Sequence, residues 1–224
     1  MSQMSLFESL STSNSPAQTS LPWTDLPFLV VDTETTGLDR NQNRVIEIAW
    51  VFFDSRQEIH GEARFCQIDE PVPELITGLT GISTDMLTDQ PYFAQHVDDF
   101  LEFASKAAYI VAYNASFDRE FLEAEFRRAN RELPAFTWVD PCVFIREFDR
   151  YQKGKKLTDA ALRWGVRLDG AHRALADAKA AGHLLLKLMP RLKANSLSEL
   201  ITLQNAWQID QERQYQAYAA RKAK

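Results

Sequence analysis

The chain has 224 residues, 45% of them hydrophobic, 25% charged and 11% aromatic, with a formal net charge of -6. That balance fits one well-buried globular domain plus tails. It excludes a globally basic nucleic-acid binder, while leaving room for local Lys/Arg and bound metal to face phosphates. Cys66 and Cys142 form neither a disulfide pattern nor a CxxC pair, which favours a reducing compartment and leaves zinc short of soft ligands. No apolar stretch approaches the ~18 residues of a membrane span, and the N-terminus lacks the regions of a signal peptide. The expected location is therefore cytoplasmic, with no membrane partner.

Residues 1–20 read as a disordered tail, because residues 8–20 (ESLSTSNSPAQTS) hold too little apolar area to offset their ordering entropy. In front of that stretch, Gln3-Met4-Ser5-Leu6-Phe7 is a short apolar-ended peptide on a tether, a form suited to docking in a partner's groove. It resembles the bacterial sliding-clamp-binding pentapeptide through Gln3, Leu6 and Phe7.

The domain is expected over residues 21–190. Phe28 to Leu38 reads FLVVDTETTGL, an apolar run closed by Thr35, Thr36 and Gly37, which predicts a buried strand ending in a turn. Asp32 and Glu34 lie two apart and project from one face of that strand. Two carboxylates that close repel unless a cation neutralises them, and oxygen-only ligands suit Mg²⁺ or Mn²⁺. Arg44 to Phe53 and Glu58 to Ile68 predict two further strands in an antiparallel meander, with a bend or turn near Gly61. Residues 76–82 form a small Gly/Thr segment, followed by a predicted helix over 91–105 and a strand over 108–112. Asn114 is placed to cap a helix running to about Arg128, with Asp118 in its first turns. A strand-like piece at 136–139 leads to Asp140-Pro141, a cap-and-N1 pair for the next helix.

Residues 150–158 gather Lys153, Lys155 and Lys156 around Gly154, a loop that reads either as a phosphate contact or as a solvated loop. Gly170 to Met189 is an Ala/Leu helix region carrying His172 and Asp177. Five residues on a continuous helix separate two side chains by about 140° after a full turn, so both face one site only if His172 lies before the helix or in a distorted first turn. Residues 191–224 read as a helical extension, with Leu200, Leu203 and Trp207 at helical spacing.

Asp32, Glu34, Asp118 and Asp177 would crowd unfavourably without cations. Two divalent ions about 3.5–4 Å apart suit phosphodiester cleavage. An imidazole titrates near pH 6.5 in water, which suits His172 to take a proton from an attacking water.

Asp32-Thr-Glu34-Thr-Thr-Gly, Asn114-Ala-Ser-Phe-Asp118 and His172-Arg-Ala-Leu-Ala-Asp177 resemble the three motifs of the DEDDh 3′–5′ exonucleases, relatives of the DNA polymerase III epsilon proofreading subunit. The resemblance spans about residues 26–190. It implies an α/β, ribonuclease H-like fold with a five-stranded mixed sheet flanked by helices. It further implies two Mg²⁺ or Mn²⁺ ions held by Asp32, Glu34, Asp118 and Asp177, and His172 as general base. Thr80, Gly81 and Ile82 are similar to a segment that meets the 3′-terminal base in relatives, and Thr35, Leu38 and Asn114 are further contacts it implies. Many relatives carry His where this chain has Tyr113, and the Thr80-Gly81 segment and Lys-rich loop look closer to the free-standing or PolC-type branch. The expected activity is removal of 5′-mononucleotides from DNA 3′ ends in proofreading or repair, with a sliding clamp or polymerase as partner. The alternatives are trimming of RNA 3′ ends and a non-catalytic nucleic-acid or clamp-binding module.

Overall fold

A computed structural model of the chain describes residues 21–222; Gln3, Leu6 and Phe7 of the tail peptide lie outside the described residues. Strands β1 (Phe28–Thr35), β2 (Val45–Asp54) and β3 (Gln57–Phe65) come first, then helices α1 (Glu74–Thr80), α2 (Thr84–Leu87) and α3 (Phe93–Ala104). Strand β4 (Tyr109–Val111), helix α4 (Ala115–Arg128) and strand β5 (Trp138–Val139) follow, and α5 (Pro141–Phe148), α6 (Leu157–Arg163), α7 (Ala174–Leu188) and α8 (Leu197–Lys222) complete the chain. The sheet order is β3-β2-β1-β4-β5. The first three strands pair antiparallel, and β1–β4 and β4–β5 pair parallel. This is the expected five-stranded mixed sheet.

Strand β1 sits at the centre, and its opening residues Phe28 to Val31 are fully buried. A strand covered on both faces loses the polar alternation of a half-exposed one, which is why FLVV reads as a continuous apolar run. Phe28 and Val30 pack into one core with residues of α5, α7 and α8. Leu29 and Val31 pack on the other face with Phe93, Val97, Phe100, Phe121 and Phe126 from α3 and α4.

Three local expectations are corrected. The β2–β3 turn lies at Ser55-Arg56, both with positive φ (48° and 64°), the backbone of a two-residue hairpin loop. Gly61 instead lies inside β3 opposite Val51, where an added Cβ would come within 3.4 Å of Leu175 and Lys179 of α7. Residues 76–82, read as a small Gly/Thr segment, are largely helical. They carry α1, which ends at Gly81 in the left-handed conformation with φ 75°, a common C-terminal stop. Finally, the end of the Lys-rich stretch starts α6, a helix too short for its periodicity to stand out.

Along α8, Leu200 is buried, Leu203 and Trp207 pack against the same core, and Trp207 meets Phe144 and Phe148 edge-on at 6.0 and 5.7 Å. Gln204 uses its amide like a strand backbone at the β5 edge: it donates to the Trp138 carbonyl (3.1 Å) and accepts from Asp140 N–H (2.8 Å). Among the described residues no helix is long and apolar enough to cross a membrane.

Helix α7 approaches the sheet most closely at Gly182, where a Cβ would lie 2.5 Å from the Phe53 ring and 3.0 Å from Val30. That ring is itself stacked on Phe28 at 4.8 Å and cannot turn away freely. Replacing Gly182 with Ala adds about 1 kcal/mol of helix propensity but forces overpacking that costs about 1–3 kcal/mol. We expect net destabilisation of Gly182→Ala in urea unfolding, and a stabilised variant would refute this packing.

Candidate active site

The site forms where β1 leaves the core. Asp32 and Glu34 are half-exposed and alternate with buried Thr33 and Thr35 on the opposite face, so both carboxylates share the α7 side of the sheet. Thr35 closes the following turn by donating its hydroxyl to the Gly37 carbonyl at 2.6 Å.

Asp118 arrives from the other face. Asn114 takes the left-handed conformation (φ 69°) and turns the chain from β4 into α4. Asp118, in the first turn and buried, accepts from the Thr33 N–H (3.0 Å) and hydroxyl (2.8 Å). The carboxylate is thereby fixed against β1. Asn114 offers no side-chain cap; the Asp140 carboxylate supplies it, accepting from Asn114 N–H (2.9 Å) and Ala115 N–H (3.1 Å) as well as from Cys142 N–H (2.8 Å) of its own helix.

His172 lies before α7 with φ 65°, the first of the two placements its spacing from Asp177 allowed. Asp177 accepts from the His172 N–H at 3.0 Å. One ligand atom from each of Glu34, His172 and Asp177 falls within 4.8 Å of the others. Glu47, which sequence reading passed over, is buried on β2 directly across from Glu34. Its carboxylate pairs with Arg173 (3.0 Å) and accepts from Ala174 N–H (3.0 Å). The only sequence signal was an acid at the third position of an otherwise apolar run, VIEIAW.

The charges are strained. Burial pushes Asp32 well above the usual carboxylate range, and Asp118, Asp177, Glu34 and Glu47 add to the rise. Burial also lifts Glu34 to about 7, helped by Asp177, Glu47 and Asp118 and opposed by Arg173. Asp118 rises to about 7 through burial despite its bonds from Thr33. Asp177 is raised by burial too, against the His172 N–H. Four carboxyls that hold protons unusually tightly and offer only oxygen donors make a fitting cradle for hard divalent cations.

Of the expected nucleotide contacts, Leu38, Gly81 and Asn114 are exposed, as is the neighbouring Leu79. Thr80 and Ile82 turn their side chains inward instead. Ile82 packs with Ile46, Ile68, Val72 and Leu87, and the Thr80 hydroxyl bonds the Ile76 carbonyl and Ile82 N–H. In the basic loop, Lys155 donates its ammonium to the carbonyls of Asp149 and Gln152, a structural task. Its own carbonyl accepts from the Tyr113 hydroxyl at 2.5 Å. Lys153, Lys156 and Tyr151 remain exposed.

Residues 29–185 match the exonuclease family RNase_T. The PolC-type DNA polymerase III of Halalkalibacterium halodurans is 35% identical over 169 residues, covering 75% of this chain and 12% of that protein. The PolC-type polymerase of Staphylococcus aureus (strain bovine RF122 / ET3-1) is 30% identical over 189 residues, covering 82% and 13%. This chain thus spans only about an eighth of the length of these curated relatives. Among solved structures, exonuclease X in complex with 5′ overhanging duplex DNA superposes with a TM-score of 0.59 at 22% identity, covering 79% of this chain and 99% of that one. The nuclease domain of 3′hExo, a DEDDh family member bound to rAMP, gives 0.64 at 17%, covering 74% and 92%. Both share the ribonuclease H-like fold. The chain belongs to the DEDDh, DnaQ-like 3′–5′ exonuclease family.

Proposed function

We propose that this protein hydrolyses the terminal phosphodiester at DNA 3′ ends, with Asp32, Glu34, Asp118 and Asp177 as metal ligands and His172 as general base. The observation that carries the reading is the convergence of Glu34, His172 and Asp177 within 4.8 Å beside Asp32, whose proton affinity desolvation and the surrounding acids raise. A pair of Mg²⁺ or Mn²⁺ ions, held by the four carboxylates, would supply the positive charge that lets these groups ionise together and that the phosphate needs as negative charge develops. His172 then removes the proton from the attacking water. As the new P–O bond forms, the bond from phosphorus to the 3′ oxygen breaks, releasing a 5′-mononucleotide and a strand with a fresh 3′ hydroxyl that takes its proton from solvent. Leu38, Leu79, Gly81 and Asn114 are exposed, and we assign them contacts to the terminal nucleotide. Any contribution of Thr35, Thr80 and Ile82 passes through their backbone, because their side chains face inward or close a turn.

DNA is favoured over RNA because the relatives at 30–35% identity are DNA polymerases and because the tail peptide resembles a clamp-docking segment. A proofreading or repair role in company with a sliding clamp or polymerase follows from the same two points.

Asp32→Asn or His172→Ala should lower the hydrolysis rate of 5′-labelled single-stranded DNA by at least about 100-fold, with circular dichroism unchanged. Wild-type rates in both variants would defeat the site assignment, and faster digestion of RNA than of DNA would move the substrate reading. Deleting residues 1–7 should weaken capture by a sliding clamp without changing oligonucleotide hydrolysis; equal capture would remove the docking role.

Because the Glu34 and Asp118 carboxyls have folded-state values raised to about 7, their stabilising contribution in the metal-free protein is full below the unfolded values near 4 and is lost as pH rises through 7. Tm in EDTA should therefore fall between pH 5.5 and pH 8. Added Mn²⁺ should restore Tm more at pH 8 than at pH 5.5, since protons compete with the cation at the lower pH. An equal Mn²⁺ effect at both pH values would refute the cradle.

A further inference from the structure

Glu47 takes no part in the chemistry above, yet it is buried beside it. Its neighbours on β2, Val45, Ile46, Ile48 and Ala49, are apolar and almost fully buried. A carboxylate in such a row is strongly disfavoured unless paired, and a well-packed apolar residue there would commonly serve stability as well or better. What the acid supplies is a fixed register. It receives Arg173 through Nη2 at 3.0 Å and Nε at 3.4 Å, and it receives the Ala174 N–H at 3.0 Å. Arg173 is the N-cap residue of α7 but makes no side-chain cap bond, so a carboxylate from another strand occupies the cap position. The Arg173 guanidinium also lies 5.5 Å over the Phe65 ring, which fixes its direction. Immediately before this clamp stands His172 in the left-handed conformation, and one turn after it stands Asp177, bonded back to the His172 N–H. The backbone that aims the imidazole is held from β2 on one side and by Asp177 on the other.

We propose that Glu47 is a positioning residue for His172. By clamping Arg173 and the Ala174 N–H, it sets the start of α7 so that the imidazole reaches the attacking water beside Glu34 and Asp177. The inference rests on the reading of His172 as general base. It differs from a plain structural anchor, which would affect folding without acting through His172. It also differs from a charge effect on the metal cradle, which would act through cation affinity.

The test compares single-turnover hydrolysis of 5′-labelled single-stranded DNA at saturating Mn²⁺ by wild type, Glu47→Gln, Arg173→Gln, His172→Ala and the Glu47→Gln/His172→Ala and Arg173→Gln/His172→Ala doubles. Mn²⁺ affinity is measured calorimetrically on the same proteins. Glu47→Gln keeps the shape and one acceptor oxygen but turns an amide toward the guanidinium. Arg173 is half-exposed, so its variant keeps the test alive if the buried substitution fails to fold. Each single substitution should cost about 10–100-fold in rate, the scale of a small misplacement of a reacting group, while Mn²⁺ affinity stays within about three-fold. In the His172→Ala background both losses should vanish, the doubles matching His172→Ala within about two-fold. Multiplying losses in the doubles would leave Glu47 a mere anchor. Mn²⁺ affinities that shift in opposite directions for Glu47→Gln and Arg173→Gln would assign its effect to charge. A His172→Ala protein as fast as wild type would overturn the general-base reading itself, and this inference with it.

Discussion

Everything in this molecule turns on placing like charges together at the end of a buried strand. Asp32 follows four fully buried residues of the central strand and is itself only part-exposed. Glu34 follows on the same face, and Asp118 and Asp177 are brought in from helices on opposite sides of the sheet. No part of that arrangement helps the metal-free fold. Desolvation and mutual repulsion both oppose ionisation, and the raised proton affinities of all four groups record the opposition. The two hydrophobic layers that sandwich β1 supply the stability against which this local strain is held. A strained cluster supported by a rigid scaffold is the usual condition of a site prepared for a charged ligand.

Asp118 and Asp177 are each held by contacts that a random surface cluster would lack. Thr33 uses both its backbone and its hydroxyl on Asp118, tying α4 to β1. Glu125, buried on the same helix, pairs with Arg44 and Arg128 and accepts from the Val45 N–H. Arg128 in turn bonds the carbonyls of Arg40 and Asn41. The loop after Glu34 is thereby fastened to the helix that carries Asp118. On the far side a relay runs from Gln204 of α8 through Asp140 to the N–H groups of Asn114 and Ala115. The C-terminal helix therefore completes the support of the second motif as well as covering a sheet edge.

The sequence disclosed the parts of this design that follow from periodicity and motif order. The apolar run FLVV, the alternation that pairs Asp32 with Glu34, the Asn114 start of α4 and the Asp140-Pro141 start of α5 were all legible. The five-residue spacing also showed that His172 and Asp177 do not share one continuous helical face, leaving His172 either ahead of the helix or in a distorted first turn. What escaped reading depends on partners remote in sequence. Glu47 looked like a polar interruption of a strand, and only the β1–β2 register and the start of α7 give it partners. Gly61 looked like a turn because its role, letting α7 lie close to β3, is set by a helix more than a hundred residues later. Thr80 and Ile82 resembled a segment that meets the 3′-terminal base, but the Ile82 side chain joins a small core and the Thr80 hydroxyl bonds its own helix end. The basic loop held both readings at once: Lys155 serves the loop's own carbonyls, and Lys153 and Lys156 face solvent.

The site divides its work between fixed and adjustable groups. Asp32 and Glu34 belong to the central strand, and Asp118 and Asp177 sit in first helical turns, where each accepts a backbone N–H bond. Cation binding demands such constancy, since ligand geometry must precede the ion. His172 is different: it is exposed, lies outside regular structure and takes a left-handed backbone that a non-glycine residue enters at some cost. On the proposed reading of His172 as general base, exposure serves a group that must receive a proton and give it up to solvent, but exposure alone would leave its aim undefined. Buried Glu47, paired with half-exposed Arg173, answers that need in the proposed arrangement, holding the start of α7 while leaving the imidazole in water's reach. Precision in the carboxylates comes from the sheet. In the imidazole, the same precision has to be imposed through the two residues that follow it.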